Sequence, residues 1–286
     1  MELNGQALTL EGIGAIAIGG EHVAIAPSIR SRIAASREVI EQIVKRDAVV
    51  YGVNTGFGKL SDVRVPPDEL RQLQLNLVRS HACGIGNPLS EPEVRAMMLL
   101  RANVLTLGFS GIRWDVIELL CEMLNRRVHP IVPEKGSVGA SGDLAPLAHL
   151  GLAMIGEGEL YDDTTRGPAP DMLRRHGLAP LALGPKEGIT LINGTQAHTA
   201  IAALAVSDAL RLWITAHVAG AMSLEALLGT PVAFDARIHE ARGQAGQQRS
   251  AALLRELLAD SEIRESHRYG DPRVQDAYAL RCMPQV

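Results

Sequence analysis

The stretch TQAHTAIAALAVSDALRLWITAHVAGAMSLEALL, residues 195–228, decides the class of fold. It is apolar around most of its circumference, holds no proline, and stops at Gly229 and Pro231, the residues that end helices. A helix of that length and composition belongs in the centre of a bundle. Working outward, Pro66 and Pro67 precede Asp68 and Glu69, and Leu70, Leu73, Leu77 and Val78 then share a face, which predicts a helix ending near His81. Ser90 and Glu93 form a capping box around Pro92, opening a helix through Val94, Met97, Met98, Arg101 and Leu105 that stops at Gly108. A further helix spans Trp114 to Arg127. The ALTL segment at Ala7 and the HVAIA segment at His22 are expected to form a short strand pair.

Composition agrees with a mainly α class: aromatics make up 3% of 286 residues, while Ala, Leu, Glu and Arg dominate the long segments. With 47% hydrophobic and 21% charged residues, the chain can bury a substantial core. A net charge of -4 gives no long-range pull toward nucleic acid or anionic membranes, so neither is an expected partner. No basic, apolar leader opens the chain, and Asp208 and Arg211 interrupt the longest apolar run, so a cytoplasmic location is expected. Cys83, Cys121 and Cys282 lie far apart and read as buried thiols.

Several familiar chemistries fail on spacing. His239-Glu240 opens like a zinc-protease motif, but Gly243 stands where the second histidine is required, so no metal site is expected. Gly136, Gly139 and Gly142 match neither a dinucleotide fingerprint nor a phosphate loop. Ser141 lies in GASGD, which is not a nucleophile elbow. Asn193-Gly194-Thr195 matches the glycosylation sequon, but without an export signal the asparagine needs another explanation.

Three stretches crowd small and turn-forming residues: YGVNTGFGK from Tyr51, GSVGASGD from Gly136 and INGTQ from Ile192. In the second, a plain turn is the ordinary reading, yet the residue order permits more. The open amide nitrogen of Gly142 can approach the carbonyl carbon of Ala140 if the turn bends sharply, closing a five-membered ring through Ser141. Loss of one water from that ring and another from the serine side chain leaves an exocyclic methylene conjugated to the ring carbonyl of Ser141 and to the new ring C=N, a strong electrophile. Ala140 supplies the carbonyl, Ser141 the leaving hydroxyl and Gly142 the nitrogen.

GSVGASGDLAPLAH resembles the signature of the aromatic amino acid ammonia-lyase family, whose members carry such a ring, 4-methylidene-imidazole-5-one (MIO). The resemblance extends through YGVNTGFG, LVRSHACGIG, GFSGIR, LINGTQ, FDARIHEARGQ and YALRCMPQV, and is weakest before residue 45. It implies MIO formed autocatalytically from Ala140-Ser141-Gly142 with no external cofactor. It also implies a long-helix bundle of the fumarase and aspartase-like type, with a small N-terminal region carrying short strands. Residues 1–286 would be the MIO-bearing part. Relatives continue past RCMPQV into further helices that are absent here, and they assemble as homotetramers.

Ammonia elimination removes a weakly acidic β-proton and expels a poor leaving group, so an electrophile must hold the substrate. The resemblance makes Tyr51 the general base, which requires its phenol to be lowered by about 4 kcal/mol for three pKa units, with nearby positive charge supplying the shift. It makes Asn193 a residue beside the ring and Arg281 the partner of the substrate carboxylate, a role suited to a guanidinium fork. Gln275 and Tyr278 match active-site positions at spacings that a turn or short helix could gather with Arg281. Ser80-His81 matches the pair that contacts the substrate side chain, and Ser-His accompanies an imidazole. The histidine-directed branch of the family is therefore implied, with L-histidine converted to trans-urocanate and ammonium. An aminomutase sharing the electrophile is a close alternative, as is a non-catalytic helical scaffold. The fumarase and argininosuccinate-lyase group lacks its own signature here.

Overall fold

A computed structural model describes residues 1–286 as two compact units, Met1–Ser207 and Asp208–Val286. In the first, β1 (Glu2–Leu3) pairs in parallel with β2 (Ala24–Ile25). The expected strand at Ala7 is instead a helix start: Thr9 accepts the amide of Gly12 and caps α1 (Leu10–Ala17). ALTL therefore turns where alternation suggested extension, because its threonine is better used as an N-cap than as a strand residue. Helices α2 (Arg30–Lys45), α3 (Leu70–His81), α4 (Glu91–Leu105) and α5 (Trp114–Asn125) follow. Between α3 and α4 lies β3 (Ile85–Pro88), which pairs antiparallel with β5 (Pro133–Lys135). A second small sheet orders β4 (His129–Pro130), β6 (Glu159–Tyr161) and β7 (Arg166–Pro168) with β6 in the middle. α6 (Leu144–Met154), α7 (Ala169–Arg175) and α8 (Glu187–Ile192) complete the unit, and α9 (Gln196–Ala226) leaves it.

Periodicity placed α3, α4 and α5 well. α3 ends at His81, and α4 starts as expected, with the Ser90 amide donating to Glu93 at 2.8 Å. The core lies where α4 meets α1 and α5, and where α6 meets α3 and α8. Met97, Met98, Leu120, Leu147, Leu150 and Leu191 are fully buried there. Arg95 is buried among them because its guanidinium satisfies helix ends: it donates to Ile16 O at 2.8 Å and Leu124 O at 3.0 Å. It also donates to His129 Nε2 at 2.9 Å. Burial and the Arg95 charge push the His129 imidazole down to about 3, so it is neutral in the fold. Of the cysteines only Cys121 is the expected buried thiol, pushed up to about 12 by burial; Cys83 is exposed and Cys282 half-buried.

The second unit packs the end of α9 against a four-residue 3-10 turn at Pro231–Phe234, α10 (Ala236–Arg242) and α11 (Ala245–Leu257). Leu224, Phe234, Ala251, Leu254 and Leu258 form its core. Two short helices, α12 (Glu262–Ser266) and α13 (Tyr278–Arg281), lie near its end.

α9 departs from expectation. Its span matches the apolar run, but its middle is exposed, not buried: Leu210 stands 52% exposed, Leu212 70% and Ile214 51%. The helical stretch Glu187–Ala226 is also long and apolar enough to cross a membrane by length and composition, with a mean hydropathy of 1.4 over its best 18 residues. Asp208 and Arg211, paired at 3.3 Å, do not interrupt it enough to fail that criterion.

Candidate active site

The turn at GSVGASGD bends at Ala140 and Ser141, both exposed, and then dives so that Gly142 and Asp143 are buried. Gly142 has a φ of 120°, a region that L side chains avoid. A Cβ added there would lie 2.7 Å from Gly194 O and 3.3 Å from Asn193 Oδ1. Only glycine fits, and Asn193 stands directly beside it. The backbone is thus bent at the residue whose nitrogen ring closure requires, and the residues present fit an MIO group.

Asn193 owes its position to α8, which is anchored at both ends. At the start, the fully buried Glu187 carboxylate accepts from Arg113 Nη2 at 2.7 Å and Nε at 2.8 Å and from the Gly184 amide at 2.7 Å. At the end, Arg101 donates to Thr190 O and, at 3.1 Å, to Asn193 O, while its Nη1 reaches Gln196 Oε1 at 2.8 Å. A carboxylate at the N-terminus and a guanidinium at the C-terminus both complement the helix dipole. Arg101 is 4% exposed, and burial lowers it to about 10, leaving it a cation at neutral pH with no carboxylate partner. A Cβ at Gly194 would strike Arg101 Nη1 and Gln196, so this position also excludes a side chain.

Tyr51 and Asn193 line one cavity of about 460 Å³. Its wall includes Arg101, Lys186, Phe109 and Thr195 but no carboxylate. Lys186 donates to Ser110 O at 2.7 Å, and burial lowers its pKa. Tyr51 itself is 60% exposed, its ring edge-on to Phe57 with centroids 6.0 Å apart.

The remaining candidates are a pair in the first unit and a trio in the second. Ser80 and His81 close α3, where Ser80 Oγ donates to Leu77 O at 3.0 Å and His81 Nδ1 donates to the same carbonyl at 2.9 Å. Neither lines the Tyr51 cavity. In the second unit, Arg281 Nη1 donates to Gln275 Oε1 at 2.7 Å, with the exposed Tyr278 at the start of α13. Arg281 and Gln275 meet, as their spacing suggested, while Tyr278 stands 72% exposed.

Sequence reasoning passed over Arg101, Asp143 and His198. A signal existed for the first: an arginine at a position that otherwise belongs to the buried stripe of α4. Asp143 entered only as the last residue of the GSVGASGD turn, yet its side chain is buried. Burial pushes its carboxyl up, but hydrogen bonds from the His198 ring, the His198 amide and Ser137 outweigh this and hold it below the ordinary range.

A sequence profile described as aromatic amino acid lyase matches residues 8–286. A protein named histidine ammonia-lyase from Koribacter versatilis is 55% identical over 286 residues, covering 100% of this chain and 55% of its own length. One of the same name from Anaeromyxobacter sp. is 52% identical, with 99% of this chain and 58% of its own length covered. Among solved structures, histidine ammonia-lyase from Trypanosoma cruzi superposes with a TM-score of 0.88 at 41% identity, covering 100% of this chain and 53% of that one. Tyrosine aminomutase from Streptomyces globisporus gives 0.90 at 34%, covering 100% and 57%. The chain spans about half the length of the curated relatives it matches. Its bent glycine turn, the asparagine beside it and the profile match over nearly every residue place this chain in the aromatic amino acid lyase family.

Proposed function

We propose that this chain is the ring-bearing part of an ammonia-lyase that converts L-histidine to trans-urocanate and ammonium. The observation that carries the reading is the Ala140-Ser141-Gly142 turn, bent at a position where only glycine fits and flanked by Asn193. MIO formed from those three residues would supply the electrophile that activates the amino group for departure. Tyr51 would accept the β-proton, in a cavity whose wall also carries Arg101 and Lys186. Asn193 would orient the substrate beside the turn. Arg281, held by Gln275, would present its free guanidinium edge to the substrate carboxylate, with Tyr278 alongside. Ser80 and His81 would contact the substrate imidazole, and their Ser-His identity separates this reading from one for tyrosine or phenylalanine.

The substrate assignment is supported by relatives named histidine ammonia-lyase at 52–55% identity, against 34% for the tyrosine aminomutase. Assembly as a homo-oligomer, with a tetramer as the family arrangement, is supported by the exposed apolar middle of α9. Work on a free amino acid suits a cytoplasmic location. Urocanate absorbs in the near ultraviolet, so incubating the assembled protein with L-histidine tests the proposal directly. Growth of that absorbance with release of ammonium is expected; formation of a β-amino acid instead would assign the aminomutase reaction.

A further inference from the structure

Asp143 follows the turn, and every polar group on it is engaged. Its amide donates to Gly194 O at 2.6 Å. Its Oδ1 accepts from Ser137 Oγ at 2.7 Å and from His198 Nδ1 at 2.9 Å, and its Oδ2 accepts from the His198 amide at 2.9 Å. Ser137 lies before the turn and Asp143 after it, so this carboxylate ties the two ends of the turn together. Gly194 and His198 fasten the same point to the start of α9. A carboxylate only accepts, so the His198 ring carries its proton on Nδ1. The His198 side chain is otherwise 57% exposed, and the imidazole makes no other hydrogen bond. A histidine in the first turn of a long helix gains nothing from the helix dipole when charged, so the contact with Asp143 is what its position offers.

We propose that His198 is a positioning residue for ring closure, acting through Asp143 to hold the Ala140-Ser141-Gly142 turn in the bend that joins Gly142 N to the Ala140 carbonyl carbon. This rests on the MIO reading above. In the step it serves, the Gly142 N–C bond forms as its proton passes to the former carbonyl oxygen. That oxygen then leaves as water with the Ser141 amide proton. The second water takes the Ser141 hydroxyl and its α-hydrogen. Losing the His198 ring would leave the buried carboxylate short of one charge-assisted donor and the turn free to relax.

The test follows the mass of the tryptic peptide Gly136–Arg166 with time after synthesis of the full chain, in the wild type, His198→Ala and His198→Asn. The asparagine amide can stand where Nδ1 stands. We expect two waters lost in the wild type, a rate about tenfold lower in H198A, the factor for one modest hydrogen bond, and recovery in H198N or with free imidazole. Thermal midpoints of the three should agree within a few degrees. Equal rates in wild type and H198A would overturn the role of His198 while leaving the MIO reading intact. Equal slowing in both variants, with a matching loss of thermal stability, would overturn it in favour of plain packing. A wild-type peptide that keeps both waters overturns the MIO reading and this inference with it.

Discussion

Gly142 and Gly194 face each other closely enough that a single methyl on either meets backbone or a buried guanidinium. Gly142→Ala should therefore lose both the turn and the ring, since positive φ and the 2.7 Å approach to Gly194 O each oppose a side chain. Ser141→Ala is the gentler probe. It keeps the backbone and removes the hydroxyl, so the peptide should retain its unmodified mass, apart from the substitution, while the thermal midpoint stays put. Tyr51→Phe separates ring formation from its use: the two-water loss should proceed, and turnover should fall by about a hundredfold or more, the usual contribution of a general base. The residues that would be joined were legible in the sequence because their chemistry depends on order along the chain. Arg101, Asp143 and His198 were not, because each acts on groups far away in sequence, 55 positions away for Asp143 and His198.

At the scale of elements, α8 shows how short a helix can be when both ends are held. Six residues cannot sustain a helix alone. Glu187 and Arg101 supply what propensity lacks, and the Gln74 side-chain Oε1 accepts from the Gly188 amide at 2.8 Å. Glu187→Gln should cost about 2–4 kcal/mol in urea unfolding, because Arg113 would lose its anionic partner in a largely closed site. A variant as stable as the wild type would show the anchor to be dispensable. Helices α3, α4 and α5 were readable because their apolar positions repeat at helical spacing and their caps are explicit. α1 escaped notice because Gly12 and Gly14 interrupt it, and the β1–β2 pair is too short to display alternation. Apolar content around α9 fixed its existence but not its burial, since a helix surrounded by partners and one awaiting them read alike.

Across the whole molecule, two properties follow from what is left neutral and what is left bare. His129 is neutral in the fold at a pKa of about 3, against about 6.5 when unfolded. Only the unfolded chain takes up its proton between those values, so stability is full above pH 6.5 and declines as the pH falls toward 3, by about 5 kcal/mol. His129→Gln should flatten that decline in acid unfolding curves, and an unchanged slope would assign it to carboxylates instead. The bare middle of α9 predicts concentration-dependent association. Leu212→Glu with Ile214→Glu should reduce light scattering and dye binding without altering the helix content. The tie between the glycine turn and the start of α9 carries one more consequence. A turn fastened by Gly194 and His198, fifty and more positions away, cannot be fully held before the chain has folded. Since expelled water does not return to a closed ring, the mass of this peptide would be a permanent record of folding, legible afterwards in a fully denatured sample.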